Sequence, residues 1–124
     1  MERQDKKSII IIDDDAGMLR LMNKCLEEYQ VATAINKRVA LKFLSKRPVD
    51  LILMVYEMPE QNGVELLKEL RQNPKTQHTP VIFMTGTDSE EAIMEMKSMV
   101  PQDLLEKPLT KEKLLFAVER VLGR

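Results

Sequence analysis

Two successive aspartates, Asp13 and Asp14, close the apolar run Ile9-Ile10-Ile11-Ile12. Crowded carboxylates repel one another, and a hard cation such as Mg²⁺ is the best explanation for placing them together. Far along the chain, Glu57, Thr85 and Lys107 each stand at the end of another apolar segment. A hydroxyl and an ammonium facing a carboxylate pair can hold phosphoryl oxygens. Taken singly, each of these residues is an ordinary polar strand end. Taken together, they suit cation and phosphoryl binding, provided that one fold gathers them on one edge.

The stretch Asp50 to Gly63 shows how that edge arises. Leu51 to Val55 is continuously apolar, long enough for a strand and too short for a helix. Such a strand is covered on both faces, as in a parallel sheet. Pro59 cannot donate to a ladder, Asn62-Gly63 tolerates positive φ, and Val64 opens a helical period with Leu67 and Leu70. Ser8 to Ile12 reads as another buried strand. It precedes an amphipathic helix through Met18, Leu19, Met22, Cys25, Leu26 and Tyr29, capped by Asp15. Cys25 is expected as a small buried hydrophobe.

Val31 to Ala34 is a weaker strand nearer the sheet edge. Asn36 caps a helix that turns Val39, Ala40, Phe43 and Leu44 inward and stops before Pro48. Pro80 to Thr85 is the fourth strand. Asp88 and Glu91 have capping-box spacing for a helix to about Met99. Leu104-Leu105 is a short fifth strand, and Thr110 caps a last helix with Leu114, Ala117, Val118, Val121 and Leu122. The fold class is therefore α/β: a single doubly wound sheet of five parallel strands flanked by five helices, with its core over about 8–122. One domain, 1–124, with no attached effector segment is expected.

Composition narrows the function. The 124 residues are 44% hydrophobic and 31% charged, with formal net charge −1, so no basic stripe for direct nucleic-acid binding is expected. One cysteine excludes an internal disulfide and fits a reducing, cytoplasmic setting. No window has the length of a membrane span. His78, the only histidine, lies in a polar loop and is expected to be solvated.

The motifs Ile11-Ile12-Asp13-Asp14-Asp15, Met58-Pro59 with Asn62-Gly63, Thr85-Gly86 and Glu106-Lys107-Pro108 resemble those of response regulator receiver domains, the chemotaxis-regulator type of two-component signalling. The resemblance covers Ser8 to Leu122. It implies a phosphorelay module, not an enzyme in its own right, with a histidine kinase or phosphotransfer protein upstream and an output protein or domain downstream. It implies Mg²⁺ held by Asp14 directly, by Asp13 through water and by the Glu57 backbone carbonyl. It also implies Thr85 as the switch hydroxyl and Lys107 as the phosphate-binding cation. A monomer, or a weak dimer through the face of the fourth helix, fifth strand and fifth helix, is implied as well.

The chain departs from that pattern at the centre. Three residues before Met58, where the family carries its phosphoacceptor aspartate, stands Val55. Valine has neither a nucleophile nor a metal-binding oxygen, so phosphorylation is expected to be blocked and Mg²⁺ binding weak. Glu57 is the one neighbouring acid able to stand in. Leu104 replaces the family's switching aromatic, and Met99-Val100-Pro101 replaces a small, glycine-containing turn. Two readings follow: a receiver with a variant or engineered acceptor site, or a phosphorylation-independent pseudo-receiver that binds partner proteins. Met94, Met96 and Met99, on more than one face of the fourth helix, would offer the second reading an adaptable surface, against the alternative that two of them are core. A small α/β phosphatase is disfavoured, because Asp13-x-Asp15 is followed by Gly17 and no cap segment exists.

Overall fold

A computed structural model describes residues 6–123. Five strands alternate with five helices: β1 (Ser8–Ile12), α1 (Ala16–Cys25), β2 (Gln30–Ala34), α2 (Lys37–Lys46), β3 (Leu51–Val55), α3 (Gly63–Arg71), β4 (Val81–Thr85), α4 (Glu90–Ser98), β5 (Asp103–Glu106) and α5 (Lys111–Leu122). The strands form one parallel sheet in the order β2-β1-β3-β4-β5. The switch in winding direction falls between β1 and β3, and all five carboxyl ends share one edge.

Strand alternation divides the core in two. Ile10, Ile12, Ile52, Met54, Val81 and Phe83 pack beneath α2, α3 and α4. Ile9, Ile11, Leu51, Leu53, Val55, Ile82 and Met84 pack beneath α1 and α5. Every residue of β3 and β4 is buried, which explains their unbroken apolar runs. The weaker strand β2 lies at the sheet edge.

Helix starts follow side-chain oxygens that accept backbone N–H groups. Asp15 accepts from Met18, Asn36 from Val39 and Thr110 from Lys113. The α4 cap is Ser89, which accepts from Ala92, rather than Asp88 one residue earlier. Val39 turns outward, because the inward face of α2 is filled by Ala40 and Leu44. Cys25, the last residue of α1, is only half-buried, and Tyr29 lies beyond the helix end.

Asn62 and Gly63 tolerate positive φ but do not use it. Asn62 is instead an N-cap with φ −76°, in a reciprocal capping box with Glu65. Gly63 is needed for a different reason: the N-terminus of α3 is pressed against the end of β3. A Cβ there would lie 2.5 Å from the Val55 carbonyl oxygen. A positive φ does occur at Val100, φ 53°, immediately after α4.

Candidate functional site

The carboxyl edge gathers four of the residues singled out above, Asp13, Lys107, Thr85 and Glu57, into two bonded pairs. Asp13, fully buried just past β1, accepts the Asp15 N–H at 3.0 Å and faces the Lys107 ammonium at 3.4 Å. Burial pushes the Asp13 carboxyl above the ordinary 3.8, outweighing the Asp15 N–H and the Lys107 ammonium, which both favour the charged form. Lys107 also ties β5 to β4 through its N–H, which donates to the Thr85 carbonyl at 2.8 Å.

Thr85 and Glu57 form the second pair. The buried Thr85 hydroxyl donates to Glu57 Oε2 at 2.7 Å. The Gly86 N–H donates to both Glu57 oxygens, at 3.1 and 3.3 Å. Thr85 Oγ1 accepts the Thr87 N–H at 3.1 Å, which completes its bonding. Glu57 thus bridges the ends of β3 and β4 with its side chain.

Asp14 is exposed. It lines an open cleft of about 1000 Å³ with Lys37, Arg38, Met58, Pro59 and Glu60, among others. Val55 is 1% exposed and packs in the α1/α5 half of the core. Leu104 is half-buried against the opposite half. Among the described residues, no three His, Cys, Asp or Glu side chains come together as metal ligands. Asp13 is committed to Lys107 and Asp15, and Glu57 to Thr85 and Gly86. Mg²⁺ keeps several of its waters, so Asp13, Asp14 and the Glu57 carbonyl would be a sparse protein ligand set for it.

Sequence reasoning missed a link running from the end of β3 to α4. The Tyr56 hydroxyl donates to Glu95 at 2.7 Å and accepts from Asn62 Nδ2 at 3.4 Å. Its pKa is pushed up to about 12, first by the bond to Glu95, then by burial and nearby carboxylates. No local spacing announces this contact, because its partners lie 39 positions apart.

Comparison with known proteins agrees with this architecture. The response regulator receiver domain profile matches residues 9–119. A probable cyclic di-GMP phosphodiesterase of Vibrio cholerae is 37% identical over 92 residues, which span 73% of this chain but 21% of that protein. A probable chemotaxis protein CheY of Rhizobium etli is 25% identical, with 99% of this chain and 98% of that protein aligned. The crystallised chemotaxis protein CheY4 of Vibrio cholerae superposes with TM-score 0.87 at 29% identity, covering 94% of this chain and 98% of that one. The family is therefore shared by stand-alone chains and by much longer proteins that carry the domain as one part. No helix among the described residues is long and apolar enough to cross a membrane. On its sheet order, its motif positions and these similarities, the chain belongs to the response regulator receiver domains of two-component signalling.

Proposed function

We propose that this receiver domain signals without an aspartyl phosphate. Val55 stands at the family's phosphoacceptor position, three residues before Met58, and the observation that carries the reading is its chemistry: a buried isopropyl group at the strand end. A carbon side chain offers no oxygen to a phosphodonor. Asp13, Asp14, Thr85 and Lys107 retain the residue types of a phosphoryl and Mg²⁺ pocket around it. Asp13 and Asp14, with the Glu57 carbonyl, are the metal ligands that remain, and without a carboxylate at 55 they bind Mg²⁺ weakly. The domain is a signalling module, not an enzyme. It works with a histidine kinase or phosphotransfer protein and an output protein or domain in the cytoplasm.

The partner face is that of α4, β5 and α5. Met94 is 70% exposed on α4 and Phe116 is 63% exposed on α5, and Leu104 lies half-buried on the strand between those helices. This surface supports protein contacts, including weak self-association, that need no phosphate.

The test is intact mass after incubation with Mg²⁺ and acetyl phosphate. The protein is expected to gain no phosphoryl group, and V55D is expected to gain one. Gain by the unmodified chain overturns the reading of Val55. Gain by neither leaves a pocket that has lost more than its acceptor, and the pure binding-module reading then takes over.

A further inference from the structure

The Glu57 carboxylate has an unusual position for an exposed side chain at a strand end. It folds back onto two donors at the tip of β4, the buried Thr85 hydroxyl at 2.7 Å and the Gly86 N–H at 3.1 Å. A hydroxyl and a main-chain N–H converging on one point make a seat for an oxyanion, because both present positive hydrogens to the same acceptor. Thr85 is fully buried, so its hydroxyl hydrogen needs a partner within the protein. Glu57 is the residue that supplies it. The loop beyond is fixed in turn, since the Thr87 N–H donates to Thr85 Oγ1 and the Lys107 N–H to the Thr85 carbonyl.

We propose that Glu57 is the resident anion of this seat: the chain fills its own oxyanion site with a side-chain carboxylate and thereby latches Thr85 without any bound ligand. The ligand class excluded by the latch is a small oxyanion, inorganic phosphate or a phosphoryl group. The inference deepens the proposed function and rests on it, since a phosphoryl group carried at position 55 would compete for the same two donors. It also gives Glu57 a role other than stand-in acceptor, because its oxygens are already spent on Thr85 and Gly86.

Amide NMR of the whole chain tests the latch with no phosphodonor present. The reporters are the Gly86 and Thr87 N–H signals, and the probe is inorganic phosphate. In the unmodified protein the Gly86 proton is expected downfield, as for a bond to a carboxylate, and phosphate should leave it in place. In Glu57→Ala it should move upfield and then return in a saturable phosphate titration, with affinity at least about tenfold above that of the unmodified protein, a difference of about 1.4 kcal/mol. Glu57→Gln keeps the side-chain length but not the charge, so it should fall between the two. Losing the Glu57 carboxylate leaves the buried Thr85 hydroxyl short of a partner, so Glu57→Ala should melt somewhat lower than the parent, and the spectra are recorded well below both midpoints. Coincident Gly86 signals in the parent and Glu57→Ala would overturn the latch. So would equal phosphate binding by the two, or none by Glu57→Ala. Phosphoryl gain measured by mass bears on Val55 alone, so the two ideas fail separately.

Discussion

Gly63 and Val55 lie back to back: a methyl group on Gly63 would meet the Val55 carbonyl oxygen at 2.5 Å and the Tyr56 Cα at 3.2 Å. The obstacle is backbone, which cannot swing aside as a side-chain tip can. The Gly63 N–H meanwhile donates to the Tyr56 carbonyl at 2.8 Å, holding the first turn of α3 against the end of β3. Gly63→Ala is therefore expected to destabilise the fold by about 1–3 kcal/mol, the usual range for overpacking. A lowered urea midpoint with unchanged slope would register it, and an unchanged midpoint would show that the helix backs away freely.

Val100 carries strain in the opposite sense. It adopts φ 53° just past α4, where helices commonly end in a glycine, and its branched Cβ makes that region costly. Its side chain is 80% exposed, so little packing would be lost with it. Val100→Gly should stabilise the protein by about 1 kcal/mol, the strain relieved less the extra freedom glycine gives the unfolded chain. Thermal melting of the two proteins at equal concentration decides it. A lower midpoint for the glycine form would mean that the Val100 side chain makes a contribution that outweighs its backbone strain.

Tyr56 gives a spectroscopic handle on the link to α4. Its hydroxyl donates to Glu95, so the neutral phenol is favoured and the pKa is pushed up to about 12. A raised pKa in the folded state means that the contribution is whole below pH 10, the ordinary tyrosine value, and fades as pH rises from 10 through about 12. In a Tyr29→Phe background, ultraviolet titration should show the remaining tyrosine ionising near 12 and, with Glu95→Gln, moving back toward 10. No movement would place the cause in burial instead of in the bond.

These contacts mark how far the order of residues could be read. The central strands were legible because each is covered on both faces, and the run Leu51 to Val55 states this without structure. Asp15, Asn36 and Thr110 were legible as caps, since capping is decided within three residues. Ser89 was harder to identify: Asp88 stands beside it with equal capping chemistry and better spacing, and the chain's path into α4 chose between them. Gly63 was recognised as special for the wrong reason, because close approach to Val55 is a tertiary fact while φ preference is a local one. The candidate site divides in the same way. Its residue types could be listed from strand ends, but the turn of Glu57 onto Thr85 depends on where β3 and β4 finish relative to each other.

Val55 leaves a negative charge out of the carboxyl edge. Ile12 pairs with Met54, so Asp13 and Val55 come next to each other one step beyond the paired register. Asp13 is buried and its carboxyl is raised mainly by that burial. A raised carboxyl pKa means that the charged form is the strained one in the fold. The penalty is absent below the ordinary 3.8 and grows as pH rises from there through the folded value. Val55→Asp adds a second crowded carboxylate at the same edge, and Lys107, already at 3.4 Å from Asp13, cannot neutralise both. The variant should be less stable than the parent at pH 7 without metal, by about 1–3 kcal/mol for a poorly compensated buried polar group. Mg²⁺ should recover part of that loss through binding to the folded form alone, while scarcely moving the parent. Lowering the pH toward 4 should narrow the gap in the absence of Mg²⁺, as the carboxyls take up protons. Denaturant titrations at both pH values, with and without Mg²⁺, measure all three effects. Equal stability of the two proteins under every condition would show that the edge accommodates the added carboxylate freely, and that charge crowding does not separate Val55 from aspartate here.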